Sequence, residues 1–212
     1  MPDAAHPAPF ARTFERLVAK VGETTPGDQM AALHRAFEER TGAFGPDDPW
    51  FEVRSRAFWD DVMTGARAPR FSKDSLDPAD RLWAEALRRP HRGLFRSRMH
   101  DGRLVLADAV TGAELVVHEV DDASRDALAS TTGLFDGVVV GVPPPVRLAL
   151  LPGAIFHPEG AEEAILRVIA AGRARALTDG ALLDALLRME LSLRTLSRVK
   201  PSYAYRAEAL VG

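Results

Sequence analysis

Residues 92–120, RGLFRSRMHDGRLVLADAVTGAELVVHEV, set two tight-turn signals, Asp101-Gly102 and Thr111-Gly112, between three short apolar-bearing runs. Asp-Gly between alternating runs is a strong hairpin signal, because both central residues of a tight hairpin turn need positive φ. Leu104 and Leu106 alternate with Val105 and Ala107, and Leu115 and Val117 alternate with Val116 and His118. That period of two predicts half-buried antiparallel strands. Leu134 to Val142 reads as a fourth strand, and Val146 to Phe156 as a fifth, interrupted at Pro152-Gly153. Pro143-Pro144-Pro145 cannot donate ladder hydrogen bonds and so separates these two. Five short strands predict an antiparallel meander or small barrel. Such a sheet needs a helix on at least one face.

Helical spacing of apolar residues surrounds this region. Phe10, Phe14, Leu17, Val18 and Val21 predict a first helix over 10–21. Met30, Leu33 and Phe37 predict a second from about Gly27 to Gly42, with Asp28 as a plausible cap. A third helix is expected from Trp50 to Met63, capped by Asp48 with Pro49 at its first position. A fourth is expected from Asp77-Pro78 to Pro90, after an exposed loop over 64–76. Residues 121–129 supply one or two helical turns. Two C-terminal helices follow, at about 159–174 and 179–198, the second capped by Thr178 or Asp179. The expected organisation is a flexible arm (1–9), a helical region (10–90), the meander (91–157), the helical pair (158–200) and a tail (201–212). Together they form one α+β unit.

Composition narrows the chemistry. The 212-residue chain is 46% hydrophobic with a net charge of −3, which gives no global drive toward nucleic acid or anionic membrane. Cysteine is absent, which excludes disulfides, thiolate metal sites and cysteine nucleophiles. Neither a signal-peptide pattern nor an apolar run of roughly 20 residues occurs, so the expected location is the cytoplasm and no membrane is an expected partner. Lysine occurs only at Lys20, Lys73 and Lys200. The arginine excess, beside abundant Ala, Pro and Gly, points to GC-rich codons rather than to nucleic-acid binding.

The sequence supplies no catalytic, cofactor-binding or metal-ligating constellation. His118-Glu119 with His157 and Glu159 is the only metal-like grouping, and adjacent strand residues such as His118 and Glu119 point to opposite faces. The carboxylate pairs Asp47-Asp48 and Asp121-Asp122 fall where caps and turns are expected, and Asp60-Asp61 falls mid-helix, where it is expected to face solvent. No nucleophile elbow and no phosphate-binding loop is present.

Two interaction signals stand out. Arg92, Arg96, Arg98 and Arg103 concentrate positive charge on the first hairpin, although Phe95 is essentially the only aromatic interleaved with them. Leu182, Leu186, Met189, Leu193 and Leu196 step by four and three along the last helix, as in a coiled-coil seam. Leu183 and Leu187 widen that stripe, which suits packing on the chain's own core better than a dimer seam. Tyr203 and Tyr205, the only tyrosines, lie in the tail, where aromatic residues dock on the parent domain or on a neighbour.

Phe58-Trp59-Asp60-Asp61, Arg92-Gly93-Leu94-Phe95, Leu104-Val105-Leu106-Ala107-Asp108, Thr111-Gly112 and Val117-His118-Glu119 carry a resemblance. Over about residues 58–142 the chain resembles an uncharacterised bacterial helix-plus-meander module sometimes found beside SEC-C-type metal-binding tails. The resemblance implies that architecture and no activity; the cysteine-bearing tail is missing, so no metal function is implied.

The leading expectation is therefore a non-enzymatic cytoplasmic protein-interaction or regulatory protein. Its candidate surface is Leu182, Leu186, Met189, Leu193, Leu196, Tyr203 and Tyr205, with self-association through the last helix as one form. The alternatives are a nucleic-acid binder using Arg92, Arg96, Arg98 and Arg103, and an enzyme with an unrecognised site.

Overall fold

Asp101 and Gly102 both adopt positive φ, 49° and 73°, the pair of left-handed conformations that closes a two-residue hairpin. They join β1 (His91–His100) to β2 (Arg103–Asp108), which pair antiparallel from Phe95 opposite Asp108 to His100 opposite Arg103. Gly112, at φ 77°, turns the chain toward β3 (Glu114–Val117). The structure is a computed structural model describing residues 9–68, 71, 76–143, 146–196 and 199–210. The expected arm before Pro9, parts of the 64–76 loop, Pro144-Pro145, residues 197–198 and the last two tail residues lie outside the described residues.

The remaining strands are β4 (Phe135–Val142), β5 (Arg147–Leu150) and β6 (Ile155–Phe156). The spatial order is β3-β2-β1-β4-β5, with β6 pairing on β4. The order departs from a simple meander in one respect: β4 passes β3 and β2 to pair with β1, placing the two longest strands side by side. The fifth strand divides into β5 and β6 at Pro152-Gly153, the interruption the sequence marks. The ends of the curled sheet then meet. His118 and Glu119 N–H groups donate to the Leu148 carbonyl at 2.9 and 3.1 Å, and Leu150 N–H donates to the Glu119 carbonyl at 3.0 Å. The result is a half-barrel whose edges touch where residues 118–119 meet 148–150.

Among the described residues, seven α-helices flank it: α1 (Phe10–Thr24), α2 (Gly27–Thr41), α3 (Phe51–Thr64), α4 (Pro78–Ala86), α5 (Asp122–Ser130), α6 (Glu162–Ala174) and α7 (Asp179–Thr195). The class is α+β, as expected. Two of the expected caps do not form. The N-cap of α2 is Pro26, leaving Asp28 in the first turn, and Asp48 Oδ2 instead accepts from Gly45 N–H at 2.7 Å, so Trp50 is the N-cap of α3. Asp121 and Thr178 do cap, accepting from Ser124 N–H (3.1 Å) and Ala181 N–H (3.2 Å). The first N–H of α1 is satisfied from far along the chain: Phe10 N–H donates to Glu119 Oε2 at 2.6 Å. A carboxylate there also complements the positive helix end.

Strand β4 explains the layering. Val138, Val140 and Val142 face α1–α4, beneath Phe10, Phe14, Phe58 and Trp83. Phe135 and Val139 face the sheet interior with Phe95, Leu106, Val117 and Leu150. A strand buried on both faces needs a mostly apolar run, and the only polar side chain in β4, Asp136, is held by Arg92. A third cluster packs α6 and α7 over Leu94. At the turn between β5 and β6, a Cβ on Gly153 would stand 2.6 Å from both the Cα and the nitrogen of Ala57 in α3. Only glycine lets this turn sit on that helix.

Candidate functional site

Between sheet and helices runs a chain of alternating charges. Asp61 Oδ2 accepts from Arg40 Nη2 at 2.7 Å, and Arg40 Nη1 donates to Asp184 Oδ2 at 3.1 Å. Asp184 Oδ1 accepts from Arg92 Nη1 at 2.6 Å, and Arg92 grips Asp136 through Nε and Nη2 at 3.2 and 3.1 Å. Five elements, α2, α3, α7, β1 and β4, are joined in this way. Burial works against the Arg92 charge, yet Asp136 and Asp184 outweigh it and hold the guanidinium above its ordinary range. Burial also raises the Asp136 carboxyl, a rise that Arg92 partly offsets.

A second buried group lies on α7. Arg54 donates to Glu190 Oε2 at 2.5 Å, to the Thr41 carbonyl at 3.1 Å and to the Leu187 carbonyl at 2.8 Å, while Arg194 pairs with the other Glu190 oxygen. Burial lowers the Arg54 pKa, and Glu190 opposes that shift. His157 is also buried: its Nδ1 shares a 2.7 Å hydrogen bond with the Tyr205 hydroxyl, and its Nε2 has no partner. Burial first, then Arg54 and Arg194, lower its pKa to about 3. Burial raises the Tyr205 phenol, so it stays protonated.

Asp60 overturns the expectation of a solvated mid-helix carboxylate. It is 3% exposed and accepts from Gly153 N–H at 2.9 Å, with its other oxygen unpartnered. The register of α3 places it under the β5–β6 turn; its neighbour Asp61 takes Arg40. Burial pushes the Asp60 carboxyl well above the usual range, against the opposing Gly153 hydrogen bond. The folded chain thus holds a proton that the unfolded chain releases, and stability falls as pH rises above the ordinary carboxylate range. Asp60→Asn, neutral and still able to accept from Gly153, is expected to stabilise the protein at pH 7. The gain is about 1.4 kcal/mol for each unit the folded pKa stands above the unfolded one. Urea midpoints at pH 7 and pH 4 check this: the gain should shrink toward pH 4, and a variant weaker at both would refute it.

An open hollow of about 1050 Å³ lies at the mouth of the half-barrel. Leu104, Val117, Val120 and Leu128 form its apolar floor, and α5 supplies one wall. Its lining also includes Arg96, Arg98, Arg103, Arg125, Arg147 and His118 and, among the described residues, no Asp or Glu. The strand register sets Arg96, Arg98 and Arg103 on the sheet face opposite Leu104 and Val117, at the edge of the hollow. Arg96 pairs with Glu162, Arg98 with Glu114 and Arg147 with Glu119. Arg103 and Arg125 have no carboxylate partner among the described residues. Met99, 68% exposed, adds an adaptable apolar contact at the rim.

The structure redistributes the residues singled out in the sequence. Leu182, Leu186 and Met189 are buried in the α6–α7 core, and Leu193 packs against it. They are therefore not a free dimer seam; the neighbouring Leu183 and Leu187 broaden the stripe into a buried helix face. Tyr205 is buried on His157, leaving Leu196 (48% exposed) and Tyr203 (64%) outside. Arg92 is removed from the basic surface by its two carboxylates, whereas Arg96, Arg98 and Arg103 all reach the mouth. Phe95 is wholly buried, so it offers no stacking platform. The metal-like grouping is dispersed. His118 Nδ1 accepts from Leu148 N–H, Glu119 holds Phe10 and Arg147, His157 holds Tyr205, and Glu159 accepts from Thr132. Among the described residues, no group of three or more His, Asp or Glu is placed to hold a metal ion, and no helix is long and apolar enough to cross a membrane.

Sequence reasoning missed Arg125 and Arg147, which lie in a helix and a strand far along the chain from the first hairpin. Only the closure of the sheet brings them beside Arg103. Comparisons with protein-family models, curated proteins and solved structures find no match to this chain.

Proposed function

We propose that this is a non-enzymatic, cytoplasmic bacterial protein that acts by binding another protein, in a regulatory role, through the cationic mouth of its half-barrel. Residues 58–142 then form the helix-plus-meander module that their sequence resembles. The observation that supports the reading is the mouth itself: an apolar floor with several arginines in its lining and, among the described residues, no acidic one. Such a surface favours an acidic segment bearing some apolar side chains. The buried charges elsewhere are engaged with one another, which suits a structural part for them better than a catalytic one.

Nucleic acid is the rival occupant, and it is disfavoured because no exposed aromatic among the described residues lines the hollow for bases to stack on. Titrating the full chain with a short peptide of alternating valine and glutamate, and with a single-stranded oligonucleotide of equal charge, separates the two. The peptide is expected to bind more tightly, and to weaken steeply toward 1 M salt, where the Debye length is about 3 Å. The double variant Arg103→Glu with Arg125→Glu is expected to lose about tenfold or more in affinity. Tighter oligonucleotide binding, or no effect of the double variant, would overturn the reading.

A further inference from the structure

We propose that a second groove, between α1, α3 and the seam where the sheet closes, binds a small apolar carboxylic acid whose carboxylate is held by Arg125 and His118. The groove measures about 480 Å³, a size that suits a small organic molecule. Val18, Trp59, Val120 and Pro152 line it while only half-buried, with Phe10 and Phe14 beside them. Part-open apolar side chains around a concave space, with aromatic rings among them, favour a ligand with an aromatic body.

The polar lining selects the head group. Glu119 is spent, because its Oε2 accepts from Phe10 N–H and its Oε1 takes Arg147 at 2.6 Å. Asp121 Oδ1 caps α5, and its Oδ2 is shut off from solvent. Glu15 and Arg56, both exposed, offset each other's charge at the groove. The donors left over belong to His118 and Arg125. His118 Nδ1 accepts from Leu148 N–H at 3.2 Å, so the neutral ring carries its proton on Nε2. Arg125 spends one N–H on the Val120 carbonyl and has no carboxylate partner among the described residues. A carboxylate suits that planar donor set, whereas Glu119 and Asp121 close by disfavour a doubly charged phosphate. The closing segment assembles the site: it anchors α1 through Glu119 and starts α5, which carries Arg125 one turn beyond Asp121.

His118, Val120 and Arg125 also line the mouth, but the test contains no peptide, so this site and the mouth reading stand or fall separately. The full chain is titrated at pH 7 with 4-phenylbutyrate and with the alcohol and the amine of the same carbon skeleton. The acid is expected to bind at least about tenfold more tightly than either, and to shift the Trp59 indole resonance. Arg125→Gln, a surface change with little expected effect on folding, is expected to weaken the acid about tenfold and to leave the alcohol's affinity unchanged. Failure of the acid to bind, an alcohol that binds as tightly, an acid insensitive to Arg125→Gln, or an unmoved Trp59 signal overturns the proposal. Tightest binding by the amine overturns it as well, and gives the head-group contact to Asp121.

Discussion

Replacing Arg54 by methionine is expected to destabilise the fold by about 3–5 kcal/mol, since it breaks a buried ion pair from one side and leaves the Thr41 and Leu187 carbonyls without their Arg54 donors. Glu190 is fully buried, and Arg54 is the partner that also holds the Thr41 and Leu187 carbonyls. Arg194 would still reach Glu190 from its half-exposed position, but it cannot replace the hydrogen bonds made at the other oxygen. The informative comparison is the double variant Arg54→Met with Glu190→Met. Replacing a buried pair by apolar groups of similar volume is often near neutral, so the double variant is expected to recover most of the loss. Urea unfolding of both single variants and the double variant closes the cycle. A single Arg54→Met variant within about 1 kcal/mol of the parent would contradict the assignment of this pair as the main buried ionic contact.

Acid is expected to loosen the protein through His157. Its folded pKa, about 3, lies well below the ordinary histidine value near 6.5, so the unfolded chain binds a proton that the folded chain refuses. Stability is therefore fully present above about pH 6.5 and is lost as pH falls toward 3, by about 1.4 kcal/mol per pH unit. The positive groups facing the ring, Arg54 and Arg194, reinforce the refusal. His157→Asn keeps an acceptor near the Tyr205 hydroxyl and removes the titration. Its stability should change less between pH 7 and pH 5 than that of the parent, whatever its absolute value. Parallel pH profiles for the two proteins would remove His157 from the account.

The strands and helices were largely legible because local rules govern them. Asp-Gly dictated its hairpin, the run from Leu134 to Val142 marked a strand, and Asp121 and Thr178 were readable as caps. The order of the strands was not legible. Whether β4 pairs with β3 or β1 depends on which apolar faces meet, and no turn between them is short enough to decide. The buried charges were misread for a definite reason. Arg54, Ala57 and Asp60 recur in steps of three and lie together on one helix face, a signal visible in the sequence. Charged residues on such a stripe are usually solvated, and here the apolar surroundings come from β5, β6 and α7, distant in the chain. The resemblance motifs contained more than turns and core: Asp60, Asp61, Arg92 and Glu119 engage in the polar contacts between the sheet and the helices, and Asp108 pins the β1 and β2–β3 backbone within the sheet. Asp108 alone accepts from His91, Leu94, Val110 and Thr111. At the candidate site, the sequence supplied Arg96, Arg98 and Arg103 but could not foresee that Arg92 turns inward or that Arg125 and Arg147 join the lining.

The pairing of Arg54 with Glu190 spans 136 residues, and α2 and α3 likewise meet α7 through Arg40, Asp61 and Asp184. During synthesis α2 and α3 thus wait for an element that emerges more than a hundred residues later. Long-range contacts of this kind slow folding, because loop-closure entropy must be overcome before they form. Until α7 arrives, the nascent helical region carries an unneutralised guanidinium on a face destined for the interior. That intermediate is the stage at which the chain is most open to aggregation and to chaperone capture.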